Sequence, residues 1–475
     1  MTSSSFAAIA PIIILSLTTV VLMVQASIKR DQSVAWVITA LGLVSSLFGT
    51  VVAYDYAQPV TILLLADPWG LFLTGLIIVS SLITLVLSRD TFSKEGERKE
   101  EYYLLLVLAV LGAVVLVQSR HMISLLLGME LMGISLYAMV AFPERGKLPL
   151  EAAIKYLVLS ACASVILLYG FALIYAATGE LGFSEIGESG VVAFANNPML
   201  IMAGGAMVLS GIAFKLSLAP FHMWTPDVYQ GAPTPVTGFL ATVSKGAVFV
   251  VLTRFYIDGR LFQYETLNNA LVLLAILSML VGNWLALRQD NIKRLLAYSS
   301  IAHFGYLLIV LAALSRLDTN FVYQAVTFYL AAYMTTTLAA FAVVSTVAGE
   351  NNDLHNIKAF EGLFWRRPLE ASLMTVAMLS LAGIPLTAGF MGKFFVISVG
   401  IKANLWVLLS VLVVGSAVSI YYYLRIVFAM SKSTVLSNES PGIMEKCLMV
   451  FLLLVVLALG SWPQPFIGFV SQLQG

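Results

Sequence analysis

Apolar residues run along the chain in blocks of about twenty, separated by short polar joints that hold most of the lysines and arginines. A helix that crosses a membrane needs about 20 consecutive apolar residues. The pattern therefore predicts an all-α polytopic membrane protein of about fourteen transmembrane helices. The expected spans are 6–26, 34–54, 69–88, 102–118, 122–142, 151–176 and 200–229, then 234–256, 269–287, 296–315, 321–347, 370–399, 404–430 and 444–468. The longest loops, 177–199 and 348–369, leave no room for a soluble domain, so residues 1–475 read as a single membrane domain.

Counting loops alternately from the N-terminus sorts the basic residues. One side holds Lys29 and Arg30; Arg89, Lys94, Arg98 and Lys99; Arg145 and Lys147; Arg288, Lys293 and Arg294; Lys358, Arg366 and Arg367; Lys432 and Lys446. The other side holds only Arg120, Arg260, Arg316 and Lys402. Basic loops stay on the cytoplasmic side, so an even number of spans with both termini outside is expected. No positive charge precedes the first apolar block, and Lys29 and Arg30 follow it, the reverse of a secretory signal peptide.

Two spans are interrupted. In the seventh, Pro220 follows Lys215 within FKLSLAPFHMW; proline has no N–H, so the Leu216 carbonyl loses its helical partner. In the twelfth, Gly383 and Pro385 break LSLAGIPLTAGFMGKFF. Broken helices at corresponding places in two halves point to a binding or conduction site near mid-membrane. The local wording also recurs, LSLAP with LSLAGIP and PVTGF with PLTAGF. The five spans over about 102–256 and the five over about 269–430 are thus a candidate repeat. An odd number of helices per copy would invert one copy against the other.

Composition narrows the class. The 475 residues are 60% hydrophobic and 11% charged, with a mean hydropathy of +0.94, where a soluble domain is about 25% charged. A net charge of +1 offers no basic patch for nucleic acid. Cys162 and Cys447 stand alone, without the clustering an iron–sulfur or zinc site needs. There is no dinucleotide or phosphate-loop glycine motif, so nucleotide chemistry is not expected here. Redox or ATP energy, if used, would come from another subunit.

Against this apolar background Glu130, Lys215, Lys245 and Lys393 stand out, each inside a span. One such charge costs about 2.5–3.5 kcal/mol, and four on the order of 10 kcal/mol if uncompensated. Intramembrane ionisable residues mark ion or proton pathways by default. A lysine is a useful proton carrier when burial lowers its pKa toward the working pH, and a nearby carboxylate raises it again. A Glu–Lys pair that opens and closes is then a switch. Glu130 with Lys215 is the candidate pair, with carbonyls freed at the Pro220 break solvating the ammonium. Lys245 would receive the proton. His303 would bridge onward, since imidazole titrates near neutrality. Lys393 would be the exit-side lysine. Blander roles stand beside these: a static ion pair for Glu130, a hydrogen-bonded core histidine for His303, and either role for His222. Lys155 and Lys402 suit snorkelling to headgroups, and His121 and His355 read as solvated. Arg254 and Arg425 suit anchoring or partner contact, and Trp365 an interfacial anchor.

Three stretches carry a resemblance. PFHMWTPDVYQGAPTPVTGFLATVSKGA, GMELMGISLYAMVAF and LAGIPLTAGFMGKFF resemble the antiporter-like membrane subunits of respiratory complex I, relatives of the Mrp antiporters. The resemblance covers essentially the whole chain. WTPDVYQGAPTPV, a lysine at 393 and an end soon after the fourteenth span resemble the N-type branch, bacterial or plastid. M-type, L-type and Mrp sisters typically read WLPDA; the M-type carries glutamate at the 393 position, and the L-type adds a long lateral helix. The resemblance implies two inverted five-helix repeats with helices 7 and 12 broken. It implies proton translocation within an NADH:quinone oxidoreductase, a translocase. Glu130 would be the pairing glutamate, Lys215 its partner, Lys245 the central relay, His303 a relay histidine and Lys393 the terminal lysine. It implies no cofactor on this chain, with quinone, FMN and iron–sulfur clusters on other subunits. Expected partners are M-type and K/J/A-type membrane-arm subunits and lipids. The expected location is the bacterial inner (plasma) membrane, or the thylakoid for a plastid form. The rivals are an Mrp-type cation/proton antiporter subunit and a purely structural membrane module.

Overall fold

A computed structural model describes residues 3–93, 100–143, 147–348, 355–433 and 442–473. The basic residues Lys94, Arg98, Lys99 and Arg145 lie outside the described residues. The chain begins with α1 (Ser3–Ala8), α2 (Ala10–Ile28) and α3 (Gln32–Tyr54). A small hairpin, β1 (Gln58–Pro59) with β2 (Leu65–Ala66), leads to α4 (Pro68–Ser93). Then come α5 (Glu100–Val117), α6 (Met122–Val140), α7 (Lys147–Thr178) and a surface helix α8 (Phe183–Asn196). The seventh span is broken into α9 (Pro198–Leu216) and α10 (Trp224–Gly231). The eighth starts as α11 (Thr234–Phe239) and passes through a π-helical turn, Leu240–Ser244, into α12 (Lys245–Asp258). α13 (Glu265–Ala286), α14 (Ile292–Ala312), α15 (Thr319–Ala348) and a short α16 (Leu363–Arg366) follow. The twelfth span is broken into α17 (Pro368–Ala382) and α18 (Ala388–Lys402), and α19 (Trp406–Ser431), α20 (Ile443–Ser461) and α21 (Gln464–Gln472) complete the chain.

Thirteen described helical runs are long and apolar enough to cross a membrane, and the broken α17–α18 pair adds the remaining span. The polytopic all-α expectation therefore holds. Two boundaries differ. The last span stops at Ser461, because Pro463 cannot continue the helix and instead opens α21. The expected loop 177–199 contains α8, whose buried Phe183, Ile186, Gly190 and Ala193 share one helical face.

Burial sorts the spans. An 18-residue stretch in each of the runs Thr234–Asp258 and Ile292–Ser315 is buried throughout, against 28% of the matching stretches of α2 and α20. A helix that is apolar all round belongs in the interior, and these two interior runs carry Lys245 and His303. Glycines bring neighbouring backbones together. A Cβ at Gly112 of α5 would lie 2.5 Å from Met132 N of α6. A Cβ at Gly282 of α13 would lie 2.7 Å from Ala302 N of α14. Small residues permit this close approach in membrane bundles.

Two local devices occur twice. Met122 N donates to Leu181 O (2.9 Å) and Phe183 N to Arg120 O (2.9 Å), tying the start of α6 to the segment after α7. Ile292 N donates to His355 O (2.7 Å) and Ile357 N to Asp290 O (2.9 Å), tying the start of α14 to the segment after α15. Successive spans alternate in direction. The second tie therefore lies on the face where α2 ends, the Lys29 face, and the first on the opposite face. Both broken spans also end their first half alike. Ser217 (φ +62°) and Gly383 (φ +86°) take the left-handed conformation. Leu218 N then donates to Ala213 O (2.8 Å), and Ile384 N to Leu379 O (3.0 Å). This is the Schellman way of satisfying terminal carbonyls.

Candidate functional site

Lys215 sits two residues before the first break, 5% exposed. Its Nζ donates to Ser160 Oγ of α7 (2.7 Å), which also accepts from the Tyr137 hydroxyl of α6 (2.6 Å). Glu130 Oε1 lies 3.9 Å from the ammonium and accepts from Ser164 Oγ (2.5 Å). A Cβ at Gly133 would come within 3.4 Å of Lys215 Nζ, so glycine keeps the room the ammonium occupies. The Glu130–Lys215 pairing expected from sequence is thus formed. Two details are corrected. The Glu130 side chain is 33% exposed, because it projects from the outer edge of α6 beside α7. Among the described residues Lys215 Nζ bonds a serine and not a break carbonyl; the Phe214 carbonyl at the break accepts from Ser217 N (2.9 Å) and from the Trp224 indole (3.0 Å).

Lys245 directly follows the π-helical turn and is 1% exposed. Such turns recur at functional sites. Its Nζ donates to Ser300 Oγ of α14 (2.7 Å) and lies 5.4 Å from the Tyr229 ring and 5.6 Å from the Phe304 ring. Aromatic faces attract a cation at this range. His222, in the first break, is 8% exposed, and its Nδ1 is buried.

His303 lies one turn beyond Ser300 on α14. Its Nδ1 meets the Tyr329 hydroxyl (2.8 Å) and its Nε2 the Tyr423 hydroxyl (3.3 Å). Tyr423 in turn pairs with Ser299. One turn further, the Tyr306 ring is 5.6 Å from the imidazole and 5.4 Å from Lys393 Nζ. Lys393 donates to Ala382 O (2.8 Å), a carbonyl freed by the second break, and to Ser416 Oγ (2.8 Å). A small cavity beside His303 is lined by Tyr329, Tyr333, Thr336, Ser380 and Gly392. One face of α14, Ser300–His303–Tyr306, therefore joins the Lys245 and Lys393 sites at the i, i+3 spacing of helical neighbours.

Other charges have local duties. Arg254, 2% exposed, pairs with Asp67, donates to Val117 O (2.9 Å) and stacks over Trp69 (5.0 Å), so it locks α4 to α12 and anchors no span end in headgroups. Arg425 reaches Gln289 O and Asp290 (3.6 Å). Lys155 binds Glu151 (2.7 Å) and Asp227 (2.9 Å), and Asp227 also binds Arg294 (2.7 Å). His121 is half-buried and caps α6 by accepting from Ile123 N (3.2 Å); burial lowers its pKa below the usual imidazole value. His355 is half-buried rather than solvated, and its Nδ1 is buried with no hydrogen-bond partner among the described residues. Sequence reasoning missed Ser160, Ser164, Ser300 and the tyrosine shell. The signal was present: Ser160 and Ser164 are spaced i, i+4 in an apolar helix, and Ser299–Ser300 precede His303 by one turn.

Residues 119–419 match the family described as NADH:quinone oxidoreductase/Mrp antiporter, TM. A chain of the respiratory complex I from Thermus thermophilus with bound aureothin is 33% identical, with 96% of this chain and 98% of that chain covered and a TM-score of 0.82. A chain of the membrane-bound sulfane sulfur reductase, an archaeal respiratory membrane complex, is 25% identical, with coverage of 99% and 97% and a TM-score of 0.86. A chain of the Mrp complex from Dietzia sp. is alike in fold, at 18% identity, coverage of 100% and 97%, and a TM-score of 0.88.

Proposed function

Since the chain belongs to the family of NADH:quinone oxidoreductase and Mrp antiporter membrane subunits, we propose that it is a proton-translocating subunit of a complex I-type assembly, of the N-type branch. Glu130, Lys215, Lys245, His303 and Lys393 carry the protons, while quinone is reduced elsewhere in the complex. The observation that carries this reading is the bridging face of α14, which sets Ser300, His303 and Tyr306 between Lys245 and Lys393. The Glu130 carboxylate stabilises the Lys215 ammonium; moving Glu130 away along its exposed edge removes that stabilisation. The proton then passes by the first break and His222 to Lys245, and on through Ser300 and His303 to Lys393. Tyrosine hydroxyls on both imidazole nitrogens hold the ring in place while it accepts on one nitrogen and donates from the other.

The five-helix units 102–256 and 269–430 are inverted copies in this reading, supported by the paired backbone ties on opposite faces and the paired Schellman breaks. The Lys29 face, with Arg288, Lys293, Arg294, Lys358, Arg366 and Arg367, is the cytoplasmic or stromal face, and both termini lie outside. FMN, iron–sulfur clusters and the quinone belong to other subunits, with M-type and K/J/A-type chains as membrane neighbours. The whole assembly is a translocase of the NADH:quinone oxidoreductase kind, and this chain does no redox chemistry. Replacing Lys215 with Ala in the assembled complex is expected to lower coupled proton pumping at least about tenfold, the weight of a lost proton-transfer group. Wild-type pumping in that assembled variant contradicts the pathway.

A second reading, an Mrp-type cation/proton antiporter subunit, draws on the family itself and on the fold match over the full chain. Neighbouring genes for peripheral redox subunits favour the first reading; a set of antiporter genes, with sodium-dependent transport that needs no electron donor, favours the second.

A further inference from the structure

Lys293 is a fourth buried lysine that the pathway above does not use. It is the second residue of α14, at the Lys29 face, where Asn291 Oδ1 accepts from its backbone N–H (3.0 Å). A lysine so near a helix end can extend its head to water. Lys293 instead turns inward, is 2% exposed, and donates its Nζ to Ala232 O (2.7 Å). No ion pair to a described carboxylate accompanies it, whereas its neighbour Arg294 binds Asp227 (2.7 Å).

Two further groups with buried polar atoms lie near it. His355, whose carbonyl accepts from Ile292 N (2.7 Å), has a buried Nδ1 with no partner among the described residues. Burial, then the Lys293 charge, pushes its imidazole down to about 3, so the ring is neutral at physiological pH. On the other side lies Tyr229, three residues before Ala232. Its ring is 5.4 Å from Lys245 Nζ, and its hydroxyl is buried beside Ser300, the residue that accepts from Lys245. Lys293 and Ser300 are seven residues apart on α14, so they share one helical face and lie about 10 Å apart along the axis. Tyr229 has a link to each end of that interval: Ala232, three residues on in the chain, holds Lys293, and the Tyr229 ring faces Lys245, which Ser300 holds.

We propose that Lys293 loads Lys245 with protons from the Lys29 face, through the Tyr229 hydroxyl. The step balances as a proton transfer. The Lys293 ammonium loses one N–H bond, the Tyr229 oxygen accepts that proton as it releases its own, and the neutral Lys245 amine becomes an ammonium. Lys293 is then reprotonated from the Lys29 face past His355. The proposal rests on the proton-translocation reading and adds its uptake branch. It also explains why a lysine, and not a neutral donor, caps the Ala232 carbonyl: a neutral cap satisfies the oxygen but carries no exchangeable charge.

The test uses the assembled complex in sealed membrane vesicles, with donor-driven proton pumping, quinone reduction and subunit content measured together. Arginine keeps the cationic cap but does not deprotonate, whereas histidine can exchange a proton. Lys293→Arg and Tyr229→Phe are each expected to lower pumping about tenfold or more, with Lys293→His restoring part of it. A merely structural lysine predicts the reverse order, Arg tolerated and His not. If Lys293→Arg and Tyr229→Phe both pump like the wild type while Lys245→Met does not, the loading route is wrong and the lysine pathway stands. If Lys245→Met also pumps normally, the pathway itself fails. Should the Lys293 variants not assemble, Tyr229→Phe, which keeps the ring and loses only the hydroxyl, decides: normal pumping overturns the proposal.

Discussion

The two broken helices are built alike and hold their lysines differently. Each first half ends in a left-handed residue with the same backbone closure, Ser217 in one and Gly383 in the other. At the first break, the Trp224 indole donates to the Phe214 carbonyl, and Lys215 turns to Ser160 and to the Glu130 carboxylate at 3.9 Å. At the second break, Lys393 itself takes the freed Ala382 carbonyl, with Ser416 as its other partner. One lysine therefore rests on a full charge at the protein's edge, and the other on fixed dipoles inside. A full charge that moves changes the energy of its partner by far more than a dipole that stays. In the proposed pathway the switch belongs at the first break and the receiving end at the second, with Lys245 and the α14 face between them.

The comparison can be broken at its charged end first. Replacing Glu130 with Gln removes the carboxylate but keeps its size. Breaking a fully buried ion pair costs about 3–5 kcal/mol. Glu130 is 33% exposed, so a smaller penalty applies, and about a tenfold fall in coupled pumping is expected. The double variant with Lys215→Ala is expected to be no worse than Lys215→Ala alone, because the two act as one unit. Additive losses would separate the pair. A smaller effect is expected at the dipolar end. Ser300→Ala deletes the neutral acceptor of Lys245, worth about 1 kcal/mol, and is expected to slow pumping about fivefold with assembly unchanged. A Ser300 loss larger than the Glu130 loss would reverse the assignment of switch and relay.

The sequence pattern made the spans, both breaks and the lysines at 215, 245 and 393 legible, because insertion into a membrane penalises charge and proline at particular positions. It left the partners unread. Ser160, Ser300 and Tyr423 lie 55, 55 and 120 residues from the groups they bind, and no local period reports such contacts. Arg254 and Asp67 meet across 187 residues for the same reason. Lys293 read as one more basic loop residue, since its sequence position near a span end does not reveal that its side chain turns inward. The π-helical turn before Lys245 has no glycine or proline at Leu240–Ser244 to announce it. α8 was hidden because glycine, serine and glutamate dilute its apolar face.

In the proposed mechanism α14 joins the lysine sites into one proton path. The most direct measurement is a structure of the assembled complex at a resolution that orders internal water. Hydrogen-bonded water is expected to link Lys215, His222, Lys245 and Ser300, and to continue past His303 and Tyr306 to Lys393. A dry apolar gap between Ser300 and Tyr306, too long for one or two waters to cross, would contradict it.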